Sequence, residues 1–172
     1  MNIFMILFFS TLVSIPAIGR EETDGIRNFH QVHERLYRGG RPNKEGVVKL
    51  KEIGVKTIVD LECELFEKEP TAVKTERTLA ADLGIRFEHI PMHPISAPKK
   101  DDVERALSII TDPANQPVYV HCNRGSDRTG IVVAAYRIRY DGWTVQKSVE
   151  EMKQYGHRSI ILFWWKNLLH SF

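Results

Sequence analysis

The sequence is poor in cysteine: Cys63 and Cys122 are the only two in 172 residues. Two thiols cannot staple a loop-rich scaffold, so the fold must rest on an apolar core. A dominant charge is missing too. Lys and Arg number 24 against 22 Asp and Glu, a formal net charge of +2. That balance excludes the broad basic field of a nucleic-acid binder and leaves any anion preference local. There are no internal repeats, low-complexity tracts or long linkers, so residues 28–172 read as one domain. No apolar run is long enough to span a bilayer comfortably; Ile3 to Val13 falls short. Residues 1–19 carry no charge and offer small residues at Ala17 and Gly19, so they read as an export signal cleaved before Arg20. The expected product is periplasmic or secreted, with no stable membrane insertion after cleavage; left uncleaved, the segment becomes an anchor.

What the chain does have is core material, 42% hydrophobic residues, arranged in alternating patterns. Phe29 to Tyr37 alternates like a strand and leaves into a turn at Arg38-Gly39-Gly40-Arg41-Pro42. Asn43 caps a helix carrying Val47, Leu50 and Ile53, and Gly54 stops it. Val55 to Leu61, Ile85 to Ile90 and Pro117 to His121 read as strands. Between them, helices open at Pro70, with Val73, Leu79, Ala80 and Leu83 inward, and at Pro98, with Val103, Ala106, Leu107 and Ile110 on one face. Thr129 to Tyr140 is apolar nearly all round and reads as a buried helix. Thr144 caps another, and Ser159 to Leu169 closes one face of the domain through Ile160, Phe163, Trp164 and Leu168. This alternation predicts an α/β fold, a small, mostly parallel central sheet flanked by helices.

The informative stretch is VHCNRGSDRTG, residues 120–130. A loop turning from a strand end into a helix N-terminus presents backbone N–H groups and the positive helix end to one point, which makes an anion site. Asn123, Arg124, Gly125 and Ser126 form its wall, and Gly125 permits close backbone approach. Arg128 brings a planar fork matched to two phosphoryl oxygens. The same field favours thiolate at Cys122, a nucleophile facing a bound phosphate, and the Thr129 hydroxyl is placed to donate to its sulfur.

These residues match the signature H-C-x5-R-T, and the chain resembles the cysteine-dependent protein-tyrosine and dual-specificity phosphatases. Residues 28–38 and 54–61 look like the opening of the small atypical dual-specificity enzymes and of the bacterial phosphatase-like inositol polyphosphatases, the cysteine phytases. The resemblance implies a phosphoric monoester hydrolase that works through a cysteinyl-phosphate, with no metal or other cofactor. Its expected partner is a phosphorylated small molecule, a polyphosphorylated inositol or phosphoinositide, with a phosphopeptide as the alternative and a phosphate-binding pseudophosphatase as the second. Some relatives bridge the nucleophile reversibly to a second cysteine, so Cys63 reads either as a partner of Cys122 or as an unpartnered thiol.

One departure concerns the general acid, which such enzymes take from an aspartate before the third helix. Residues 89–98 contain none. Asp127 inside the anion loop is the expected substitute; the Asp127-Arg128-Thr129 ending is similar to that of myotubularin-like phosphatases. Asp101, Asp102 and His93 are the other candidates. Arg124, with Lys99, Lys100 and residues 38–41 expected around the rim, favours a substrate with several phosphates.

Overall fold

The alternating segments form a five-stranded sheet with the predicted helices between its strands. The computed structural model describes residues 22–158 and 165–172. Along the chain come β1 (Glu22–Thr23), β2 (Ile26–Arg27), β3 (His30–His33), β4 (Leu36–Gly40), α1 (Lys44–Glu52), β5 (Thr57–Asp60) and α2 (Thr71–Asp82). Then follow β6 (Arg86–His89), α3 (Lys100–Thr111), β7 (Val118–Cys122), α4 (Asp127–Tyr140) and α5 (Val145–Gln154). β1 and β2 form a separate hairpin. The main sheet runs β3-β4-β7-β5-β6 and is parallel except where β3 pairs antiparallel with β4. The α/β class expected from the sequence is the class observed.

Strand alternation at the centre of this sheet positions the site. Val118, Val120 and Cys122 of β7 face a core shared with Val103 and Leu107 of α3, Ile131 to Ala135 of α4 and Met152 of α5. Tyr119 turns to the other core, with Ile58, Val47 and Leu50 of α1 and Ala80 of α2. Val47 and Leu50 are fully buried, each contributing about 1.5–3 kcal/mol by removal from water. Helices thus cover both faces, and the period of two puts Cys122 and His121 on opposite sides of the sheet.

Three local readings change. Phe29 to Tyr37 is not one strand: the exposed Glu34 and Arg35 turn the chain between β3 and β4, with His33 Nδ1 accepting from the Arg35 N–H at 3.1 Å. Arg38-Gly39-Gly40 is not a turn but the end of β4, paired in register with Val120, His121 and Cys122. Its glycines admit close neighbours: a Cβ on Gly39 would lie 2.3 Å from the Tyr119 hydroxyl. The buried helix α4 begins at Asp127, two residues before Thr129. The export segment, and Ile160, Phe163 and Trp164 of the closing segment, lie outside the described residues. Of the remainder, Trp165 and Leu169 are fully buried and Leu168 packs against the same core. No helix among the described residues is long and apolar enough to cross a membrane.

Candidate active site

Cys122 ends β7, and residues 123–126 carry the chain into α4. The loop is held from three sides. Gly125 O accepts from Arg38 Nη2 at 2.9 Å and from Asn28 Nδ2 at 3.1 Å, and the Arg41 N–H donates to Asn123 O at 3.2 Å. Gly125 has φ +70°, and a Cβ there would sit 2.3 Å from the carbonyl carbon of Gly39. Both the backbone conformation and the crowding therefore require glycine. Gly125→Ala is expected to cost about 2–4 kcal/mol in a thermal unfolding experiment; an unchanged midpoint would show that the loop can relax.

Cys122 is buried, and burial by itself would push its thiol pKa up. The opposing influences win and hold it below the ordinary cysteine value: the Arg128 guanidinium, the Thr129 hydroxyl, and the backbone N–H groups of Thr129 and Arg124. Thr129 Oγ1 is buried with no other partner among the described residues, so the sulfur is the acceptor at hand. Arg128 Nη1 is fixed by the carbonyls of Met92, Cys63 and Leu61 at 3.2, 3.3 and 3.4 Å. That leaves the rest of the fork to face the cleft.

Cys63 lines the same cleft as a free thiol and donates to Met92 O at 3.1 Å. Burial raises its pKa, against the pull of Arg128. The two cysteines shift in opposite directions. Iodoacetamide near neutral pH is therefore expected to alkylate Cys122 before Cys63, read by peptide mass spectrometry; preferential labelling of Cys63 would contradict the electrostatics.

Behind the loop, on the other face of the sheet, lies a buried ion cluster. His121 Nε2 is 2.9 Å from Glu76 Oε1, with Asp60 Oδ1 and Glu62 Oε1 each 3.9 Å from the ring. Burial would lower the imidazole pKa, but Glu76 and Asp60 outweigh it and push it up to about 10. Burial raises the Asp60 and Glu76 carboxyls, which His121 opposes. The donor atoms of Asp60, Glu62 and His121 lie within 4.8 Å of one another, close enough for a metal. Counter-charges already engage these donors: Arg41 covers both Glu62 oxygens, and the His121 Nε2 faces Glu76 at 2.9 Å. The cluster is an ionic buttress under Cys122.

The cleft in front of Cys122 has a volume of about 860 Å³, and Arg41, Arg124, Arg128 and Arg158 line it together with Asn123, Ser126 and Asp127. The structure thus brings the residues of the signature to one place. Asp127 is buried and clamped: Oδ1 accepts from the Arg158 N–H at 2.9 Å, and Oδ2 from Arg158 Nε at 2.8 Å and Arg124 Nη2 at 2.7 Å. Burial raises its pKa, but the Arg158 N–H, His157 and the two guanidiniums outweigh that and hold the carboxyl below its ordinary value. None of Asp101, Asp102 and His93 lines the cleft. The exposed His93 uses Nδ1 to accept from the N–H groups of Ser96 and Ile95 at 3.1 and 3.3 Å.

The rim expectation is corrected in part. Lys99 and Lys100 stand away from the cleft, Lys100 donating to Ser171 O at 3.1 Å. Arg38 is buried beneath the loop, where the carbonyl of Gly125 holds it. Sequence reasoning missed Arg158, Glu62 and Asn28, whose roles depend on chain segments far from the signature.

A family described as "DSP-PTPase phosphatase fused to NAD+ Kinase" matches residues 13–161. The dual specificity protein phosphatase TpbA of Pseudomonas aeruginosa is 32% identical over 133 residues, covering 75% of this chain and 55% of that protein. The inositol diphosphatase DSP3 of Arabidopsis thaliana is 30% identical over 128 residues, covering 74% and 61% respectively. The chain thus spans little more than half the length of these curated relatives. Among solved structures, the core catalytic domain of the S. cerevisiae PP-IP phosphatase SIW14 superposes with a TM-score of 0.69 at 24% identity, covering 83% of each chain. That likeness establishes the fold.

Proposed function

Because the chain belongs to the cysteine-dependent, dual-specificity type of phosphatase, we propose that it hydrolyses phosphoric monoesters on polyphosphorylated small molecules, inositol phosphates or phosphoinositides, through a phosphocysteine at Cys122. The observation that carries this reading is the convergence of Arg41, Arg124, Arg128 and Arg158 on the cleft in front of the sulfur. One phosphoryl group needs one fork and the loop amides; further guanidiniums suit further phosphates. The Cys122 thiolate attacks phosphorus as the bond to the leaving oxygen breaks, giving the phosphocysteine and an alcohol that takes its proton from solvent. Water then attacks phosphorus as the P–S bond breaks, its proton passing to the released phosphate or to solvent, and the thiolate is restored. Arg128 and the loop amides stabilise the equatorial oxygens in both steps. The intact Cys122 and Arg128 speak against a pseudophosphatase.

Asp127 has a different role in this reading from the one its sequence position suggested. A carboxylate held ionised by Arg124, Arg158 and a backbone N–H is a poor proton donor and a good loop organiser. Asp127→Asn is therefore expected to slow an aryl and an alkyl phosphate equally, by on the order of tenfold. A loss confined to the alkyl substrate would restore it as the acid.

A phosphopeptide is the second reading, favoured by the exposed Leu65 and Phe66 at the cleft, which suit an aromatic ring or peptide backbone. Phosphate release by the full chain from inositol hexakisphosphate, a phosphoinositide and a phosphotyrosine peptide separates the two. The polyphosphates are expected to show the higher kcat/KM, and the preference to weaken with salt; a higher value for the peptide would overturn the assignment.

A further inference from the structure

The cleft carries carboxylates as well as guanidiniums: Glu62, Glu64, Glu67 and Asp127 line it. A second hollow of about 140 Å³, lined by Arg27, Asn28, Arg124, Ser126, Tyr155 and Arg158, has no carboxylate among its lining residues. The two cavities share Arg124, Ser126 and Arg158, so the second hollow adjoins the cleft that holds Cys122. We propose that this hollow is a second anion subsite, in which Arg27, Arg124 and Arg158 hold another phosphoryl group of the molecule whose first phosphate lies against Cys122. The inference rests on the polyphosphate reading above and names the groups that enforce it.

Three features make the hollow a built site. Arg124 and Arg158 share the single carboxylate of Asp127, and Arg27 has no ion-pair partner among the described residues, so guanidinium charge is in excess. The geometry is also fixed. In β2 the side chain of Ile26 is buried, so alternation turns Arg27 outward. Next to it Asn28, at φ +54°, donates from Nδ2 both to Gly125 O and to Tyr155 O at 3.0 Å. That one amide locks the hairpin, the phosphate loop and the turn after α5 together. Finally, Arg38 lies buried with its guanidinium 4.4 Å from the Tyr155 ring centroid, and its Nε and Nη1 have no hydrogen-bond partner among the described residues. A buried guanidinium against Tyr155, itself a lining residue, and the forks of the lining arginines suit a phosphoryl group.

The test is competitive inhibition of aryl phosphate hydrolysis by the full chain, using inorganic phosphate, inositol hexakisphosphate and vesicles containing a phosphatidylinositol bisphosphate. Arg27→Ala is expected to raise the inhibition constant of a polyphosphate about tenfold relative to that of inorganic phosphate, and Arg27→Lys to recover part of the loss. A selective rise for the soluble inhibitor identifies a free inositol phosphate as the ligand; a selective rise for the vesicles identifies a lipid headgroup. No change with either, or a matching rise for inorganic phosphate, overturns the subsite. Polyphosphate turnover by the unsubstituted chain is scored separately. Its absence, with the selective rise intact, removes the proposed substrate and leaves the subsite standing.

Discussion

Cys122→Ser is expected to lower phosphate release by at least on the order of 10⁴-fold while leaving phosphate binding within a few-fold. Serine preserves the size of the side chain, the loop amides and Arg128, so the anion cradle survives. What it removes is an ionised nucleophile. A hydroxyl beside Arg128 and the N–H groups of Arg124 and Thr129 stays protonated near neutral pH, whereas the same neighbours draw the cysteine below its ordinary pKa. Stopped or continuous phosphate assays report the first effect and calorimetric titration with inorganic phosphate the second. Substantial residual turnover would mean that Cys122 only binds.

Arg128→Lys is expected to cost on the order of 10²–10³-fold in kcat, although the charge is conserved. The guanidinium has two tasks that an ammonium cannot perform together. One nitrogen is held by the carbonyls of Leu61, Cys63 and Met92, from the segments following β5 and β6, while the remaining fork is left for the phosphoryl oxygens of the proposed substrate. A lysine satisfying the carbonyls withdraws its charge from the substrate, and one facing the substrate leaves the carbonyls unpaired. Near-normal kcat in Arg128→Lys would show that charge alone suffices, and that the bidentate geometry is not used.

The strengths and failures of reading this sequence follow from how local each feature is. Residues 122–129 were legible because a strand end, an anion loop and a helix start are contiguous in the chain, and each signals itself through spacing and residue type. Gly39 and Gly40 misled because glycine pairs announce turns locally. Their actual task, admitting the Tyr119 hydroxyl and the phosphate loop against β4, depends on β7 some eighty residues away. The state of Asp127 was hidden for the same reason. Beside a phosphate a carboxylate gains a proton, and beside cations it loses one; the cations that decide the matter include Arg158, brought in only by the turn after α5. Arg38, grouped with rim cations by its neighbours in sequence, is drawn under the loop because β4 lies beside β7. Periodicity located the elements; tertiary approach assigned the charges.

The central claim is that catalysis passes through a covalent phosphate on Cys122. Rapid acid quench of the full chain during turnover of a labelled aryl phosphate, followed by peptide mapping, tests it directly. The account predicts label on the peptide carrying Cys122 and none in Cys122→Ser; label on another residue, or steady turnover with no labelled peptide, would contradict it.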